Sequence, residues 1–285
     1  MNMTNHLKAE NWNFKRHPMC NFTILEEKEF VTRYKEGETF ADMAKEVNVS
    51  RNSLWKIVTK AYNVEPYQTR GYPKQYDIDL NTFSELTERS AYALGLIASD
   101  GYIAEATDLL HFYSCDKEQM DNFLDCLKCD KEPTAREREI YTSTCYRVYI
   151  GHHKIINGIS AYIPYRSKDF KKIPDCIKDS PYFRDFIRGF FDGDGHAGKE
   201  NKTIVFTGKK SLMEDIREKI KNVFRVNASG INKVTGEYVK ENSDTCHLGY
   251  SKVKSCKKLY EIMYKDAEYF LSRKKDNLIK HFGDL

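Results

Sequence analysis

No apolar run in the 285-residue sequence approaches the roughly 18 consecutive positions that a membrane-spanning helix needs. Residues 1–22 lack the hydrophobic core of a secretory signal, so a soluble, non-secreted protein is expected. A dominant charge of one sign is missing too: 46 Lys and Arg against 42 Asp and Glu leave only +4. Residues 1–75 carry 12 basic and 9 acidic side chains, and the remainder 34 and 33, so any nucleic-acid surface must arise by local clustering. Eight cysteines without a secretion signal read as reduced thiols. The one close pair, Cys126 and Cys129, has no second Cys or His pair at zinc-finger spacing, so ordinary buried thiols are expected. What is present, 40% apolar and 31% charged residues at a mean hydropathy of −0.67, suits a globular chain of about two domains.

Organisation begins at residue 25. Phe30 and Tyr34 mark one face of a first helix, which Gly37 can end. Thr39, three residues before Asp42, starts a second helix whose apolar face is Phe40, Met43, Ala44 and Val47. Asn48 falls where a tight turn needs a left-handed backbone, and Ser50 caps a third helix carrying Leu54, Ile57 and Val58. That is a helix-turn-helix pattern, with Ala44 small enough to let two helices approach. The third helix then presents Arg51, Asn52 and Ser53 to base edges and Lys56, Thr59 and Lys60 further along, the lysines suiting phosphates. A plain three-helix packing module with a solvated polar face is the alternative.

Residues 64–80, with Pro66, Gly71 and Pro73 among tyrosines and single charges, keep no period and read as a linker. Beyond them the chain repeats itself. Ala93-Leu94-Gly95-Leu96-Ile97-Ala98-Ser99-Asp100-Gly101 returns as Ile187-Arg188-Gly189-Phe190-Phe191-Asp192-Gly193-Asp194-Gly195, with the aligned aspartates 94 residues apart. After each motif come a short β-like run, an amphipathic helix, β-rich text and another helix: 109–114, 116–128, 136–150 and a segment from about 154, then 203–207, 211–223, 225–250 and 255–265.

Taken as helices, the motifs have small residues four apart, Ala91, Gly95 and Ser99 in one and, with Asp185 leading, Gly189 and Gly193 in the other. Such faces permit close backbone approach. Ser180-Pro181 offers the second helix an N-cap and first-turn proline, and Gly101 and Gly195 are expected as C-terminal glycines. Asp100 and Asp194 break a local rule, because a carboxylate in a helix's last turn opposes the macrodipole. Side-by-side helices would bring both carboxylates to one point, where they repel and raise a pKa. Divalent cations resolve that conflict, since Mg²⁺ takes one or two protein carboxylates and fills its shell with water and phosphate oxygens. Metal-assisted phosphodiester hydrolysis is the chemistry expected. A calcium loop over Asp192-Gly193-Asp194-Gly195 fails, because its sixth and twelfth positions would be Ala197 and Thr203.

Both motifs resemble those of the LAGLIDADG homing endonucleases in their single-chain, two-repeat form, over roughly residue 81 to the C-terminus. Tyr146-Arg147-Val148-Tyr149-Ile150, the block from Phe186 to Gly195 and Leu271-Ser272-Arg273-Lys274 support the resemblance. It implies an α+β fold: two pseudo-symmetric αββαββα repeats forming a DNA-binding saddle, after a small all-α helix-turn-helix domain. The expected boundaries are 1–63, a linker 64–80, and repeats 81–178 and 179–285. The resemblance also implies cleavage of both strands with Mg²⁺, or Mn²⁺ in its place. Asp100 and Asp194 would be the catalytic, metal-holding acids, with Gly101 and Gly195 completing the metal site. The motif's earlier acid is Ala98 in one copy and Asp192 in the other, which makes Asp192 a lesser candidate. Lys254, with Lys252 as its rival, and Lys154 stand where the family often has a basic residue near the reacting phosphate. For base reading, alternation groups Arg136 with Arg138 and Arg147 with Tyr149, and the second repeat offers Arg225, then Asn232 and Lys233 beside a turn-like loop.

The implied protein is a site-specific homing endonuclease acting on double-stranded DNA as a monomer, cytoplasmic or nucleoid-associated, with no membrane partner. An intein is not expected, since Met1 and the ending Gly283-Asp284-Leu285 lack the residues that splicing uses. Two other functions stay open: a DNA-binding regulator that has lost cleavage, and a maturase acting on intron RNA.

Overall fold

The computed structural model describes residues 22–36, 38–62, 76–104, 109–137, 144–163, 170–235 and 243–285. The chain forms two compact units, Met1–Gln68 and Thr69–Leu285.

In the first unit, Thr23 and Glu26 form a reciprocal capping box at the start of α1 (Ile24–Lys35). Thr39 accepts from the Asp42 N–H at 3.2 Å to start α2 (Phe40–Glu46). Asn48 takes a φ of +49°, turning the chain toward Ser50, which accepts from the Ser53 N–H at 3.1 Å and opens α3 (Arg51–Trp55). A π-helical turn, Lys56–Ala61, continues α3. Phe30, Tyr34, Phe40, Met43, Ala44, Leu54 and Val58 form the core. Thr59, placed on the open face by the sequence, is instead buried and donates to the Trp55 carbonyl at 2.6 Å.

The second unit is built round two buried helices, α4 (Glu88–Asp100) and α8 (Phe183–Asp194). Each leads straight into a four-stranded antiparallel sheet. The first has order β1 (Gly101–Ala104), β2 (Leu109–Ser114), β4 (Thr144–Ile150), β3 (Thr134–Glu137). The second has β5 (Gly195–Ala197), β6 (Ile204–Lys209), β8 (Thr245–Tyr250), β7 (Gly230–Lys233). Gly101 pairs with Phe112 and Gly195 with Phe206, so the two sheets share one register at the spacing of the aspartates. Helices α5 (Lys117–Cys126) and α6 (His153–Ser160) complete the first αββαββα repeat, and α9 (Lys210–Phe224) and α10 (Val253–Tyr264) the second. A short α7 (Asp175–Lys178) precedes α8, and α11 (Ser272–Phe282) follows the second repeat. Leu110, Phe112, Val148 and Ile150 of one sheet and Ile204, Phe206 and Leu248 of the other face a common core.

Local readings fail where tertiary contacts decide. Residues 76–80, read as linker, belong to the second unit: Ile78 is buried, Asp79 donates its N–H to the Leu127 carbonyl at 3.0 Å, and Asp79 pairs with Arg89. Ser180 caps a turn ahead of α8, accepting from the Tyr182 N–H at 3.2 Å, and the helix itself begins at Phe183. Gly101 and Gly195 are not left-handed caps; their φ values of −110° and −95° are extended. They are glycines because a Cβ would sit 3.0 Å from the Ile97 carbonyl oxygen in one case and 2.4 Å from that of Phe191 in the other.

Candidate active site at the paired helix ends

Glycine sets how closely α4 and α8 approach. A Cβ on Gly95 would stand 2.2 Å from the Phe186 carbonyl oxygen, and one on Gly189 would stand 2.1 Å from that of Tyr92. At the far end a Cβ on Gly193 would lie 1.9 Å from Ser99 Oγ and 2.6 Å from Asp100 Oδ2. Asp100 therefore lies against the residue preceding Asp194, and the two helices deliver their terminal carboxylates to one place. Asp185, expected on the same seam, turns away instead. It forms a buried pair with Arg188 at 2.7 Å, and Arg188 also donates to the carbonyls of Tyr269 at 2.7 Å and Met263 at 2.8 Å.

The two acids have different surroundings. Asp100 is half-buried and accepts from Gln119 Nε2 at 2.7 Å and, more loosely, from Ser99 Oγ at 3.4 Å. Gln119 is itself held by Ser114 Oγ, which donates to its Oε1 at 2.9 Å. Desolvation raises the Asp100 carboxyl above its ordinary value, against the lowering effect of these donors and of Lys274. Asp194 opens to solvent on one side and is crowded by protein on the others. Its carboxyl is pushed up to about 7, first by desolvation and then by the charge of Asp100, with Lys274 opposing. The second of these causes is the like-charge conflict that the motif spacing predicts.

The cation that both acids feel is Lys274 on α11, which the sequence marked only as part of the Leu271-Ser272-Arg273-Lys274 segment supporting the family resemblance. It is 2% exposed, and its ammonium donates to the carbonyls of Phe191 at 2.6 Å, Asp192 at 2.8 Å and Gly193 at 3.3 Å. These are orphan acceptors at the C-terminus of α8, where a positive charge is also favoured by the macrodipole. Burial pulls the ammonium down to about 8, and the nearby aspartates hold it up. One signal could have revealed it: Leu271, Lys274 and Leu278 follow helical spacing and are all buried, so a lysine interrupts an apolar stripe. Gln119 carried no such signal.

Lys254 stands exposed in the first turn of α10 and Lys154 half-buried in the first turn of α6. The side-chain cation that lowers the carboxyls of both Asp100 and Asp194 is Lys274. Asp192 has a structural role. It is fully buried and accepts from Tyr92 Oη at 2.9 Å, Tyr264 Oη at 3.0 Å and the Leu271 N–H at 2.9 Å, which ties α8 to α4, α10 and the start of α11.

Among the described residues no cluster of three or more His, Cys, Asp or Glu could hold a metal ion. Two carboxylates that repel each other, one open to solvent, with the main-chain oxygens of Gly101 and Gly195 following them, fit Mg²⁺, which asks for few protein ligands.

Each sheet keeps one face clear of the core. Arg136 and Arg147 share that face in the first sheet, opposite Cys145 and Thr134 respectively. In the second sheet Asn232 lies on the open face, paired with His247, while Lys233 pairs with Cys246 and so points to the other side; both are strand residues and not part of a loop. Arg225 is the left-handed C-cap of α9, with a φ of +57°, and lies outside the strands. Arg51, Asn52 and Lys56 are exposed on the third helix of the first unit, and Ser53 is half-exposed with its N–H spent on the cap. Arg138 and the side chain of Lys60 lie outside the described residues.

No protein-family model matches the chain. It is 27% identical over 197 residues to a replication factor C small subunit of Methanocaldococcus jannaschii, covering 63% of this chain and 10% of that protein, so it spans about a tenth of that curated relative. Among solved structures it is similar to full-length DUF199/WhiA from Thermatoga maritima, with a TM-score of 0.45 and 12% identity over 70% of this chain and 64% of that one. It is also similar to mesophilic variants of the homing endonuclease I-DmoI, at a TM-score of 0.42 and 17% identity over 64% of this chain and 97% of that one. I-DmoI in complex with DNA and Ca scores 0.40, at 14% identity over 64% and 90% of the two chains. By its own topology, two αββαββα repeats joined through a pair of glycine-faced helices, the second unit has a LAGLIDADG-like fold.

Proposed function

We propose that the protein is a site-specific DNA endonuclease that hydrolyses both strands of a duplex with divalent metal. The observation that carries this is the delivery of Asp100 and Asp194 to one point by helices whose glycines leave no room for a Cβ. A purely structural helix pair gains nothing from two carboxylates that raise each other's cost, one of them open to solvent.

Asp100 and Asp194, with the main-chain carbonyls of Gly101 and Gly195, would hold the metal, which when bound acidifies water and offsets charge on the phosphoryl oxygens. One carboxylate then serves each strand. Gln119 keeps Asp100 in one orientation through its 2.7 Å hydrogen bond. Lys274 supplies fixed positive charge behind both acids, the cationic role first expected of Lys154 and Lys254. As the water oxygen bonds to phosphorus it gives up a proton to solvent, the bond from phosphorus to the departing sugar oxygen breaks, and that oxygen takes up a proton from solvent.

The open sheet faces, with Arg136, Arg147 and Asn232, carry the duplex. The capped three-helix unit acts as a helix-turn-helix, with Arg51, Asn52 and Lys56 on its open side and Lys60 beyond them. Joining two modest DNA-binding modules raises effective concentration and lengthens the recognised site. The test is cleavage of a randomised duplex library by the full chain with and without Mg²⁺, beside Asp100→Asn and Asp194→Asn. Discrete metal-dependent cuts lost in both variants, with retained binding, support the assignment. Selective retention without cutting supports a regulator, and binding of structured intron RNA alone supports a maturase.

A further inference from the structure

The two sheets share a register but present different surfaces. On the open face of the first sheet Tyr102, His111 and Tyr149 stand side by side across β1, β2 and β4. Ring centroids are 4.6 Å apart both for Tyr102 and His111 and for His111 and Tyr149. Tyr113, one row along, meets the Tyr149 hydroxyl at 3.1 Å. Tyr102 at the end of this ledge is still 40% exposed. Within the ledge, Nε2 of His111 and Nε of Arg147 are enclosed yet have no hydrogen-bond partner among the described residues.

At the matching positions of the second sheet stand His196, Val205, Gly249, Thr207 and His247. A Cβ on Gly249 would meet nothing within 4 Å, so the place filled by Tyr149 in one sheet is a hollow in the other. No Asp or Glu occupies the open face of any described strand in either sheet. That pattern suits a polyanion.

A row of rings on an acid-free sheet, exposed at Tyr102 and half-buried at His111 and Tyr149, suits a polyanionic partner that also offers apolar groups. In the major groove of DNA the apolar group on a base edge is the thymine methyl, and neighbouring purines offer the acceptors that ring N–H and hydroxyl groups can meet. The second sheet lacks the rings but has hydroxyl, imidazole and amide groups around a hollow with room for water. Such a surface reads base edges by hydrogen bonds, direct or water-mediated. Resting on the endonuclease assignment above, we propose that the two halves of the target are read by different chemistry. The first repeat reads thymine methyls packed on the ledge of Tyr102, His111 and Tyr149, and the second repeat reads its half without methyl contacts.

Selection from a random duplex library with the full chain in Ca²⁺ yields a bound sequence, in which each thymine is then replaced by deoxyuridine, removing only the methyl. In one half of the site affinity should fall about fourfold for each methyl lost, the effect of unburying one such group. In the other half it should not change. The double variant Tyr102→Ser with Tyr149→Ser should be indifferent to deoxyuridine in either half; Tyr102→Ser alone, at the exposed end of the ledge, serves if the double variant does not fold. Tolerance of deoxyuridine throughout, equal losses in both halves, or full methyl sensitivity in the serine variants overturns the proposal and leaves the endonuclease assignment standing. Failure to enrich any duplex overturns both.

Discussion

Gly189→Ala tests whether the approach of α4 and α8 is limited by bare backbone. By helix propensity alone, alanine in a helix interior should stabilise the protein by roughly 0.5–1 kcal/mol. The structure reverses that sign. The new Cβ would sit 2.1 Å from the Tyr92 carbonyl oxygen and 3.2 Å from Gly95 Cα, where ordinary contact begins at 3.4 Å. Both obstacles are backbone, so no rotamer change relieves them, and the helices must part by roughly 1 Å. Overpacking that side chains can absorb costs about 1–3 kcal/mol, and a backbone clash belongs at the top of that range. The net loss should be about 2 kcal/mol or more, a fall of roughly 4–8 °C in Tm for a unit of this size. Gly249→Ala is the control: its Cβ enters open space, and removing a strand glycine should leave stability equal or slightly raised. Thermal melting with far-UV circular dichroism reads both. Cleavage per folded molecule should also fall in Gly189→Ala, because parted helices part Asp100 from Asp194. A Gly189→Ala protein that melts at or above the parent temperature would refute this account of the interface.

Lys274→Met should cost about 2–4 kcal/mol in chemical denaturation, since it leaves buried carbonyls at the end of α8 without their donor; a neutral result would mean that the ammonium is dispensable there. For Asp194→Asn the pH dependence has a definite sign. A carboxyl raised to about 7 from its ordinary 3.8 penalises the fold above pH 7, and the penalty fades as pH falls toward 4. The variant should therefore be more stable than the parent at pH 8, by about 1 kcal/mol once solvent on its open side is allowed for, and no more stable at pH 4. Equal stability at pH 8 would remove the evidence for mutual strain. Chelation of divalent metal should abolish cleavage and shift the melting temperature little, because the core of the second unit is built from apolar side chains without metal ligands; a large loss of helix signal would show a structural metal.

Short-range features were determined by the sequence itself. Thr39, Asn48 and Ser50 act on their own neighbours, so caps and a left-handed turn could be assigned from local spacing and reappear in the structure. The small-residue rows and the paired aspartates belong to the same class, because a glycine every fourth residue means close approach wherever the partner comes from. Tertiary structure decided the rest. Asp192 matches a family acid by position, yet three donors from Tyr92, Tyr264 and Leu271 bury it as a structural tie. Gly101 and Gly195 are glycines for want of space, not for a left-handed turn. Lys254 and Lys154 occupied plausible positions along the chain, but the charge beside the acids arrives from Lys274 on α11 and the orienting amide from Gln119 on α5. Local patterns specify how each segment satisfies its own backbone. Which distant side chain enters a low-dielectric site depends on the packing of elements far apart in sequence, and no local period carries that information.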